Sequence, residues 1–396
     1  MLMAAAMERP TADAGARSKT ISIAHVEILH DLHAAEPSWR ALEAGMLTPY
    51  QRFDFLSHWQ AHAGAREGSR PCIVIAYDID RQPLLLLPLA VGQENGVRVA
   101  RFMGGKHVTF NMPLLRRNFA GSATSEDLEA LLQAIREHPV GIDVLAFTRQ
   151  PERWHDQPNP MTLLPSQSAV NDCPLMRITQ GAAPADRISN SFRRRLKGKE
   201  RKLQALPGYR YYLIENDADI QRTLDWFFAV KPQRMAAQKL PNVFADPGVA
   251  DFLRAACMAR LPDRARAIEI HALECDSEII AIFAGVADGN RFSMMFNTYT
   301  MSENARYSPG LILMRDIVDT YADRGYTSLD LGIGSDDYKR LFCKDDEPIF
   351  DSYLPLTALG RLAAIGMSSL THAKRMVKHT PALMQLAQML RGALHR

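Results

Sequence analysis

The sequence predicts an α/β protein in which one module of strands and a helix occurs twice. Three strand-like segments, a loop, a helix and a further strand follow one another between residues 71 and 147, and the same order returns between residues 267 and 331. The chain has 396 residues, of which 47% are hydrophobic. This length and composition are sufficient for two domains that bury ordinary apolar cores.

The first module is predicted from apolar spacing and turn residues. Its segments are strands 72–77, 84–91 and 97–103, helix 125–138 and strand 142–147. Residues 78–83, Asp-Ile-Asp-Arg-Gln-Pro, separate the first two strands as a hairpin turn. The helix places Leu128, Leu131 and Ile135 on one face, and Ser125 is expected to cap its N-terminus.

The second module is longer and begins with a basic helix. We expect strands at 175–178, 209–214, 267–274, 278–286, 291–299, 326–331 and 349–354, and helices at 186–206, 218–235, 249–260, 311–324 and 336–342. Turn residues at 275–277 and 288–290 predict antiparallel hairpins between the three central strands. Gly325 is expected to end the helix at 311–324, as a C-terminal glycine commonly does.

Composition changes along the chain predict the domain boundaries. Residues 150–172 are rich in Pro, Asn and Gln and mark the predicted boundary between the modules. We expect a disordered leader at 1–19, an N-terminal domain at 20–165, a catalytic C-terminal domain at 166–355 and a basic helical tail at 356–396. No acidic residue follows Asp351, and six Lys and Arg residues give the tail a charge of +6.

Charge, cysteines and apolar runs exclude several classes of protein. The net charge of +3 excludes a wholly basic nucleic-acid-coating protein. The five cysteines include no Cys-x-x-Cys pair, so we predict no disulfide framework and no metal site, and expect a reducing cytoplasm. The N-terminus lacks the basic region of a signal peptide. The apolar run at 84–91 is far shorter than the roughly 20 residues of a membrane-spanning helix.

The most informative segment for function lies between residues 299 and 342. A predicted strand leads into Tyr307-Ser308-Pro309-Gly310 and then into a helix. Backbone N–H groups of such a loop, with the positive end of the helix dipole, are suited to a pyrophosphate. An ordinary helix start, with Ser308 as the cap and Pro309 in the first turn, explains the same residues. The residues alone leave both interpretations open.

The same segment carries a resemblance to a known family. The run from Tyr307-Ser308-Pro309-Gly310 through Leu313, followed by Gly325, Asp330, Gly334 and Tyr338-Lys339, resembles the GNAT-type acyltransferases of the cellulose-biosynthesis (CelD/BcsL-like) family, which are relatives of the FemABX aminoacyltransferases. The basic helix is similar to the same family. The resemblance covers roughly residues 35–355. It implies a tandem GNAT-like acyl-CoA N-acyltransferase fold, with a C-terminal helical extension.

The resemblance also implies a donor and its binding loop. Such proteins usually transfer acetyl from acetyl-CoA, as co-substrate, to an amine or hydroxyl acceptor. The loop that cradles the CoA pyrophosphate corresponds here to Arg306, Tyr307, Ser308, Pro309, Gly310 and Leu311. The loop has a single glycine, and Pro309 supplies no N–H donor. An aminoacyl-tRNA donor, which FemABX proteins use, remains an alternative.

Acyl transfer needs an acid for the leaving thiolate and a base for the acceptor. Tyr338 is the candidate acid, because many GNAT enzymes place a tyrosine after the corresponding strand. Glu269 and His271 alternate to the same face of one strand, and each is a candidate base if that face lines the cleft. Asp330, at the end of the next strand, is a further candidate. A structural role is the alternative for each of the four.

Candidate substrate contacts come from two regions. Asn297 and Tyr299 end the third strand of the second module and are expected to wall the acceptor pocket, and Lys339 is expected to bind phosphate or substrate. Residues 187–210 carry nine Lys or Arg and one Glu. Within this run, Arg194 and Arg195 are candidate contacts for an anionic acceptor. A solvated helix face and a nucleic-acid contact are the alternatives.

Three functions are consistent with these patterns. The first is a cytoplasmic acetyl-CoA-dependent acetyltransferase of extracellular polysaccharide or cell-envelope biosynthesis, acting on a small or glycan-type acceptor. The second is a FemABX-like aminoacyltransferase that uses charged tRNA, and the third is a non-catalytic accessory protein of a polysaccharide synthesis complex. A basic amphipathic tail is suited to an anionic membrane surface, which would place the protein at the inner face of the membrane.

Overall fold

The computed structural model describes residues 21–334 and 336–380. The predicted leader at 1–19 and the predicted tail beyond residue 380 lie outside the described residues. The strands are β1 His25–Leu29, β2 Arg70–Tyr77, β3 Pro83–Glu94, β4 Val97–Phe102, β5 Leu114–Leu115, β6 Val144–Pro151, β7 Arg153–Trp154, β8 Gln157–Pro158, β9 Gln167–Ser168, β10 Cys173–Arg177, β11 Arg210–Leu213, β12 Glu269–Cys275, β13 Glu278–Ala287, β14 Arg291–Tyr299, β15 Ser328–Asp330, β16 Asp345–Glu347 and β17 Ile349–Pro355. The helices are α1 Leu32–Glu43, α2 Phe53–Trp59, α3 Arg117–Ala120, α4 Ser125–Glu137, α5 Pro184–Arg187, α6 Asn190–Gln204, α7 Asp217–Ala237, α8 Val249–Met258, α9 Pro309–Asp323 and α10 Ala358–His379.

Two mixed sheets confirm the predicted repeat of one α/β module. The first sheet has the strand order β1-β2-β3-β4-β6-β17-β9, with β5 paired to β3, and the second has the order β11-β12-β13-β14-β15-β10-β16. In each sheet an antiparallel run leads to one parallel pair, β4 with β6 and β14 with β15. A parallel pair requires a crossover connection, which α4 and α9 provide.

The crossover helices form where the apolar spacing predicts them. Helix α9 packs against β12, β13 and β14 and buries its apolar face, and Gly325 follows it at φ 82°. Helix α4 begins at Ser125, as predicted, but its capping residue is the one before. Thr124, not Ser125, accepts from the Asp127 amide, and the Asp127 carboxylate accepts from the Thr124 amide in return. This reciprocal capping box satisfies two N–H groups that the helix itself leaves unpaired.

The last strand lies in a different sheet from the one that its position in the sequence suggests. Residues 349–355 follow the second module directly, yet β17 pairs antiparallel with β6 of the first sheet. Its apolar side chains Ile349, Phe350 and Leu354 join the core that α1 and β2 also line. Strand β10, which follows the predicted boundary segment, pairs with β15 and β16 of the second sheet. The chain therefore crosses between the sheets twice.

Helix α10 follows β17 and packs against β17, β6 and β4 of the first sheet. Ala364 packs against Val97, Val144 and Ala146. The backbone approaches closely at Gly360, where a Cβ atom would lie only 1.8 Å from the Asp143 carbonyl oxygen. The opposite face of α10 exposes the apolar side chains Leu359, Leu362, Ile365, Leu370 and Met376. Within the described residues, no helix is both long and apolar enough to span a bilayer.

Candidate active site

Strand β14 separates from β15 after a short parallel pairing. Residues 291–293 pair with residues 328–330, and the remainder of β14 continues without a β15 partner. The two chain segments diverge and leave a gap at the edge of α9. Across this gap the Asn297 side-chain amide (Nδ2) donates to the Tyr338 hydroxyl at 3.3 Å. The gap thus contains a polar pair at a point where β14 is still paired with β13 but no longer with β15.

The N-terminus of α9 has an unusual start. Ser308 is left-handed, at φ 57° and ψ 53°, and its side chain caps no N–H group of the helix. Instead, Lys199 of α6 donates to the Ser308 hydroxyl at 2.7 Å. The Leu311 and Ile312 amides both donate to the Ser308 carbonyl. Pro309 lacks an N–H group, so the Gly310 amide remains as the donor without an acceptor among the described residues.

The loop before α9 lies beside the gap. A Cβ atom on Gly310 would lie 3.4 Å from the Tyr299 ring, which ends β14. The Arg306 guanidinium lies 4.9 Å from the centre of the Tyr307 ring and is 62% exposed. The predicted loop residues 306–311 therefore surround a helix N-terminus that carries an open donor and two nearby cations, Lys199 and Arg306. These features are suited to a phosphate group. They replace the interpretation of Ser308 as an ordinary helix cap.

A cavity of about 740 Å³ lies between the two sheets, and both Asn297 and Tyr338 are part of its wall. The first sheet contributes Thr148 and Arg149 to its wall, and the second contributes Asn297, Gly332 and Tyr338. Its volume is within the ordinary range for small-molecule sites, about 300–1,000 Å³. The loop before α9 does not line the cavity, but Gly310 lies beside the Tyr299 ring, two residues beyond Asn297 on β14.

Tyr338 is held as a neutral donor in the wall of the cavity. Burial raises the pKa of its phenol to about 12, because the phenolate would be poorly solvated there. The contact from Asn297 Nδ2 orients the hydroxyl oxygen and leaves its proton available to a further acceptor. A neutral hydroxyl at the end of a ligand cavity is the arrangement that protonation of a leaving group requires.

The comparisons with known proteins agree with this arrangement. Residues 190–340 match the family model described as an acetyltransferase (GNAT) domain. The fold is a GNAT fold. A search of curated proteins returns no match.

Two solved structures resemble most of the chain. The C-terminal domain of an Agrobacterium fabrum protein assigned as a lysylphosphatidylglycerol synthetase aligns with a TM-score of 0.51 and 11% identity, over 86% of this chain and 98% of that one. FemX aligns with a TM-score of 0.51 and 11% identity, over 81% of this chain and 99% of that one. At this identity the similarity describes the fold alone, and it extends over both modules.

Lys231 of α7 is a residue of the cavity wall that was not predicted from the sequence. It lines the cavity, and its Nζ donates to the Asn297 carbonyl oxygen at 2.9 Å. Burial, with the nearby charge of Arg234, lowers the pKa of its amine to about 8. A fraction of the amine is therefore neutral near pH 7 and available as a base. In the sequence it is one lysine within a helix, and no local signal distinguishes it.

Lys339 has a positioning role in the loop after β15. Its side chain is only 4% exposed, and Nζ donates to the carbonyl oxygens of Gly332 at 3.1 Å and Ile333 at 3.2 Å. Asp336 lies 3.6 Å away. The ammonium thus ties together the segment that carries Gly332 and Tyr338 and contributes positive charge to the cavity wall.

Asp330 is buried in an ion pair with Arg291 of the same sheet and does not line the cavity, so the structure does not place it where a base for the acceptor is needed. It is 0% exposed and accepts from Arg291 Nε at 2.9 Å, from the Ser293 hydroxyl at 2.5 Å and from the Gly332 amide at 3.1 Å. The Arg291 guanidinium also packs over Trp154 of the first module. All the lone pairs that face the site are occupied, so Asp330 supports the loop after β15.

Glu269 and His271 do not reach the cavity, which overturns their prediction as bases. Their face of β12 lies under α9, where Tyr321 donates to the Glu269 carboxylate at 2.6 Å. His271 lies between the hydroxyls of Tyr211 and Tyr321, each at 2.9 Å. Burial lowers the pKa of His271 to about 3, so the imidazole is neutral. The carboxylate and imidazole are parts of a structural network within the second module.

The remaining predicted contacts lie in different places. Asn297 lines the cavity, whereas Tyr299 lies outside it with the Arg234 guanidinium 3.3 Å from its ring centre. Arg194 and Arg195 are exposed on α6, which packs against α9 on the loop side and not on the cavity side. Among the described residues, no group of three or more His, Cys, Asp or Glu side chains is placed to hold a metal ion.

Proposed function

We propose that this protein is an acyltransferase that moves an acetyl group from acetyl-CoA to an amine or hydroxyl acceptor bound between the two sheets. The observation that carries the proposal is the Asn297–Tyr338 pair in the wall of the cavity, two residues along β14 from Tyr299, which lies beside Gly310 of the loop before α9. The pyrophosphate of the donor binds the Gly310 amide, with Lys199 and Arg306 nearby. The thioester extends into the gap between β14 and β15.

The proposed reaction uses two side chains of the cavity wall, Lys231 as the base and Tyr338 as the acid. The acceptor nitrogen or oxygen attacks the thioester carbonyl carbon and forms the new bond, and the carbon–sulfur bond then breaks. Lys231 takes the proton from the acceptor, and Tyr338 gives its proton to the departing thiolate. Asn297 links the two groups, because its carbonyl accepts from Lys231 and its amide donates to Tyr338. Each proton transfer of this kind contributes about 10²–10⁴-fold to rate.

The donor site is tested by the Gly310→Glu variant. A carboxylate in the first turn repels the pyrophosphate but interacts favourably with the helix dipole, so the fold is expected to persist. The space beside Gly310 accepts a Cβ atom at ordinary contact distance from Tyr299. Calorimetric titration with acetyl-CoA is expected to show micromolar binding to the unaltered protein and at least about 10-fold weaker binding to the variant.

A change at the other end of α9 serves as the control. The Asp323→Gln variant alters an exposed residue in the last turn of the helix, far from the loop. It should bind acetyl-CoA as the unaltered protein does. If the unaltered protein binds no acetyl-CoA, the CoA-dependent function is wrong. If, in addition, no charged tRNA binds, the third function, a non-catalytic accessory protein, replaces it.

A second donor is supported by the exposed face of α6. Arg194, Arg195, Lys197, Arg201 and Lys202 are all exposed on this helix, next to the N-terminus of α9. Such a basic face is suited to the phosphates of an aminoacyl-tRNA, and binding would fall steeply with salt. In this alternative an ester bond replaces the thioester in the same gap. Binding of charged tRNA that weakens between 50 and 200 mM salt, without acetyl-CoA binding, would favour it.

The base is tested by the pH dependence of the rate. The pKa of Lys231 is lowered to about 8, so its neutral form increases as the pH rises through that value. We expect kcat/KM to rise with pH and to level off above about 8. The Lys231→Met variant should lose about 100-fold in rate and this ascending limb. Lys344→Met, at an exposed lysine outside the cavity, should keep both. An unchanged ascending limb in Lys231→Met would assign the base to another group.

The resemblance of residues 307–339 to the CelD/BcsL-like proteins supports an acceptor from extracellular polysaccharide or envelope biosynthesis, and a cytoplasmic location. Acceptor assays should therefore begin with amino sugars and short glycans, in their free and phosphorylated forms. Transfer of radiolabelled acetyl to none of them, by protein that binds acetyl-CoA, would remove the polysaccharide assignment and leave the acyltransferase assignment in place.

We propose further that the outer face of α10 contacts an anionic membrane. Leu362 is 71% exposed and Ile365 59% exposed on a helix from which basic residues also project. The absence of acidic residues after Asp351 makes this end of the chain complementary to anionic lipid. An amphipathic helix with such faces lies in the plane of the interface.

Sedimentation with lipid vesicles tests this contact. The protein should bind vesicles that contain phosphatidylglycerol and should not bind vesicles of pure phosphatidylcholine. Leu362→Glu should abolish binding, whereas Ile79→Glu, at a 67% exposed apolar residue of the first module, should not change it. Equal binding to both kinds of vesicle, or binding that Leu362→Glu leaves intact, would contradict the proposal.

A further inference from the structure

Arg149, in the wall of the cavity, lies on a β-bulge. Its φ is 60°, a left-handed conformation that non-glycine residues rarely adopt. The pairing of β6 with β17 shifts between Phe350 and Ser352, so that two residues of β6 stand opposite one residue of β17. The Asp351 carboxylate, itself buried, accepts from the displaced Arg149 amide at 2.8 Å. Bulges that redirect a side chain are common beside functional sites.

The Arg149 guanidinium is anchored without being neutralised. Its Nη1 donates to the carbonyl oxygens of Gly105 at 3.2 Å and Val108 at 2.9 Å. Both contacts are to backbone groups, which fix the orientation of the guanidinium but carry no net charge. The carbonyls use one of its two terminal nitrogens, so the other terminal nitrogen and Nε remain for a ligand. An arginine edge of this kind is suited to carboxylate and phosphate oxygens.

The charges around the cavity reinforce this feature. The basic residues that line it are Lys106, Arg149, Lys231, Lys339 and Lys374, and the acidic residues are Asp336 and Asp351. Lys106 is paired with Asp246, which lies outside the lining. With that pair set aside and Lys231 neutral, three cations face two carboxylates. His107 adds no charge, because burial lowers the pKa of its imidazole to about 4. A cavity with an excess of one charge concentrates ligands of the opposite charge.

We infer that the cavity between the sheets binds the carboxylate or phosphate of an anionic acceptor, with Arg149 as the main contact and Lys374 of α10 as a second. The identification of the anion as the acceptor rests on the proposed function, whereas the anion site itself rests on the residues that line the cavity. The anionic group binds at the wall formed by the first sheet. The reacting amine or hydroxyl of the same molecule then extends towards Tyr338, across the cavity.

Titrations in the Gly310→Glu protein isolate this site, since that change disables the predicted donor loop. The Arg149→Asn variant removes the guanidinium, and asparagine tolerates the left-handed backbone better than most residues. Glucosamine 1-phosphate and galacturonate are the charged probes, inorganic phosphate is the minimal probe, and glucosamine is the uncharged control. We expect the charged probes to bind and the Arg149→Asn change to weaken binding about 10-fold or more. The relative affinities for glucosamine 1-phosphate and galacturonate show whether the site prefers a phosphate or a carboxylate.

Two further variants make the result decisive. Arg153→Asn removes an exposed arginine nearby that does not line the cavity, and it should leave probe binding unchanged. Lys374→Gln, at an exposed position of α10, should keep the fold and weaken binding several-fold. Absence of anion binding, or equal binding by the Arg149→Asn and Arg153→Asn proteins, overturns the inference. Acetyl-CoA binding is also measured in an Arg149→Asn protein that keeps Gly310. If this protein binds acetyl-CoA, the donor proposal stands even where the anion site fails.

Discussion

The Tyr338→Phe variant is expected to keep its fold and acetyl-CoA affinity while kcat falls by about 100-fold or more. The phenol is a neutral donor in the wall of the cavity, and burial raises its pKa to about 12. Phenylalanine fills the same space but has no proton to give the thiolate. Steady-state kinetics with a thiol-detecting reagent measures the loss. A fall in kcat without a rise in KM would place the effect in the chemical step.

A second tyrosine provides the control for this experiment. Tyr326→Phe removes a partly buried phenol outside the cavity, so its kcat should remain within about 2-fold of the original, because no reacting group depends on it. A fully active Tyr338→Phe protein would assign protonation of the leaving group to another donor or to water. Retention of activity in Tyr338→Phe together with loss in Lys231→Met would leave the base assignment intact.

The Asp330→Ala variant is expected to be destabilised by about 3–5 kcal/mol, because it leaves the buried Arg291 without one of its two carboxylate partners. The Ser293 hydroxyl and the Gly332 amide lose their acceptor at the same time. Chemical denaturation monitored by tryptophan fluorescence measures the loss, since Trp154 packs against Arg291. Activity should disappear only as the folded fraction disappears.

The alternative role of Asp330 makes the opposite prediction. A catalytic carboxylate would lose activity in Asp330→Ala while the unfolding midpoint stayed constant. Ser293→Ala removes one hydrogen-bond donor from the same carboxylate and should cost only about 1 kcal/mol. A loss of stability in Asp330→Ala no greater than in Ser293→Ala would show that the network around Arg291 contributes little to the fold.

Local patterns predicted the elements because these depend on neighbouring residues. The strand spacing of residues 278–286 and the helix spacing of residues 311–324 are properties of single segments, and they correspond to β13 and α9. The turn chemistry of Ser308-Pro309-Gly310 likewise predicted the start of a helix, while the binding of a donor there stays a prediction. Tyr338 was predicted from the family resemblance, and the structure places it in the wall of the cavity.

The remainder of the site depends on residues that are distant in the sequence. Lys231 and Arg149 come from different modules, and neither has a neighbour that marks it. Strand alternation placed Glu269 and His271 on one face, but it does not specify which face α9 covers. The last strand was assigned to the second module by its order in the sequence, whereas its pairing with β6 depends on a strand about 200 residues away.

The position of β17 also affects how this chain is made. Ribosomal synthesis proceeds from the N-terminus, so β6 emerges about 200 residues before the strand that pairs with it. Until then the first sheet has an unpaired edge, and its core lacks the side chains of β17. The first sheet therefore cannot complete its pairing until residues 349–355 have been synthesised. An N-terminal fragment would carry an exposed edge with an affinity for other strands.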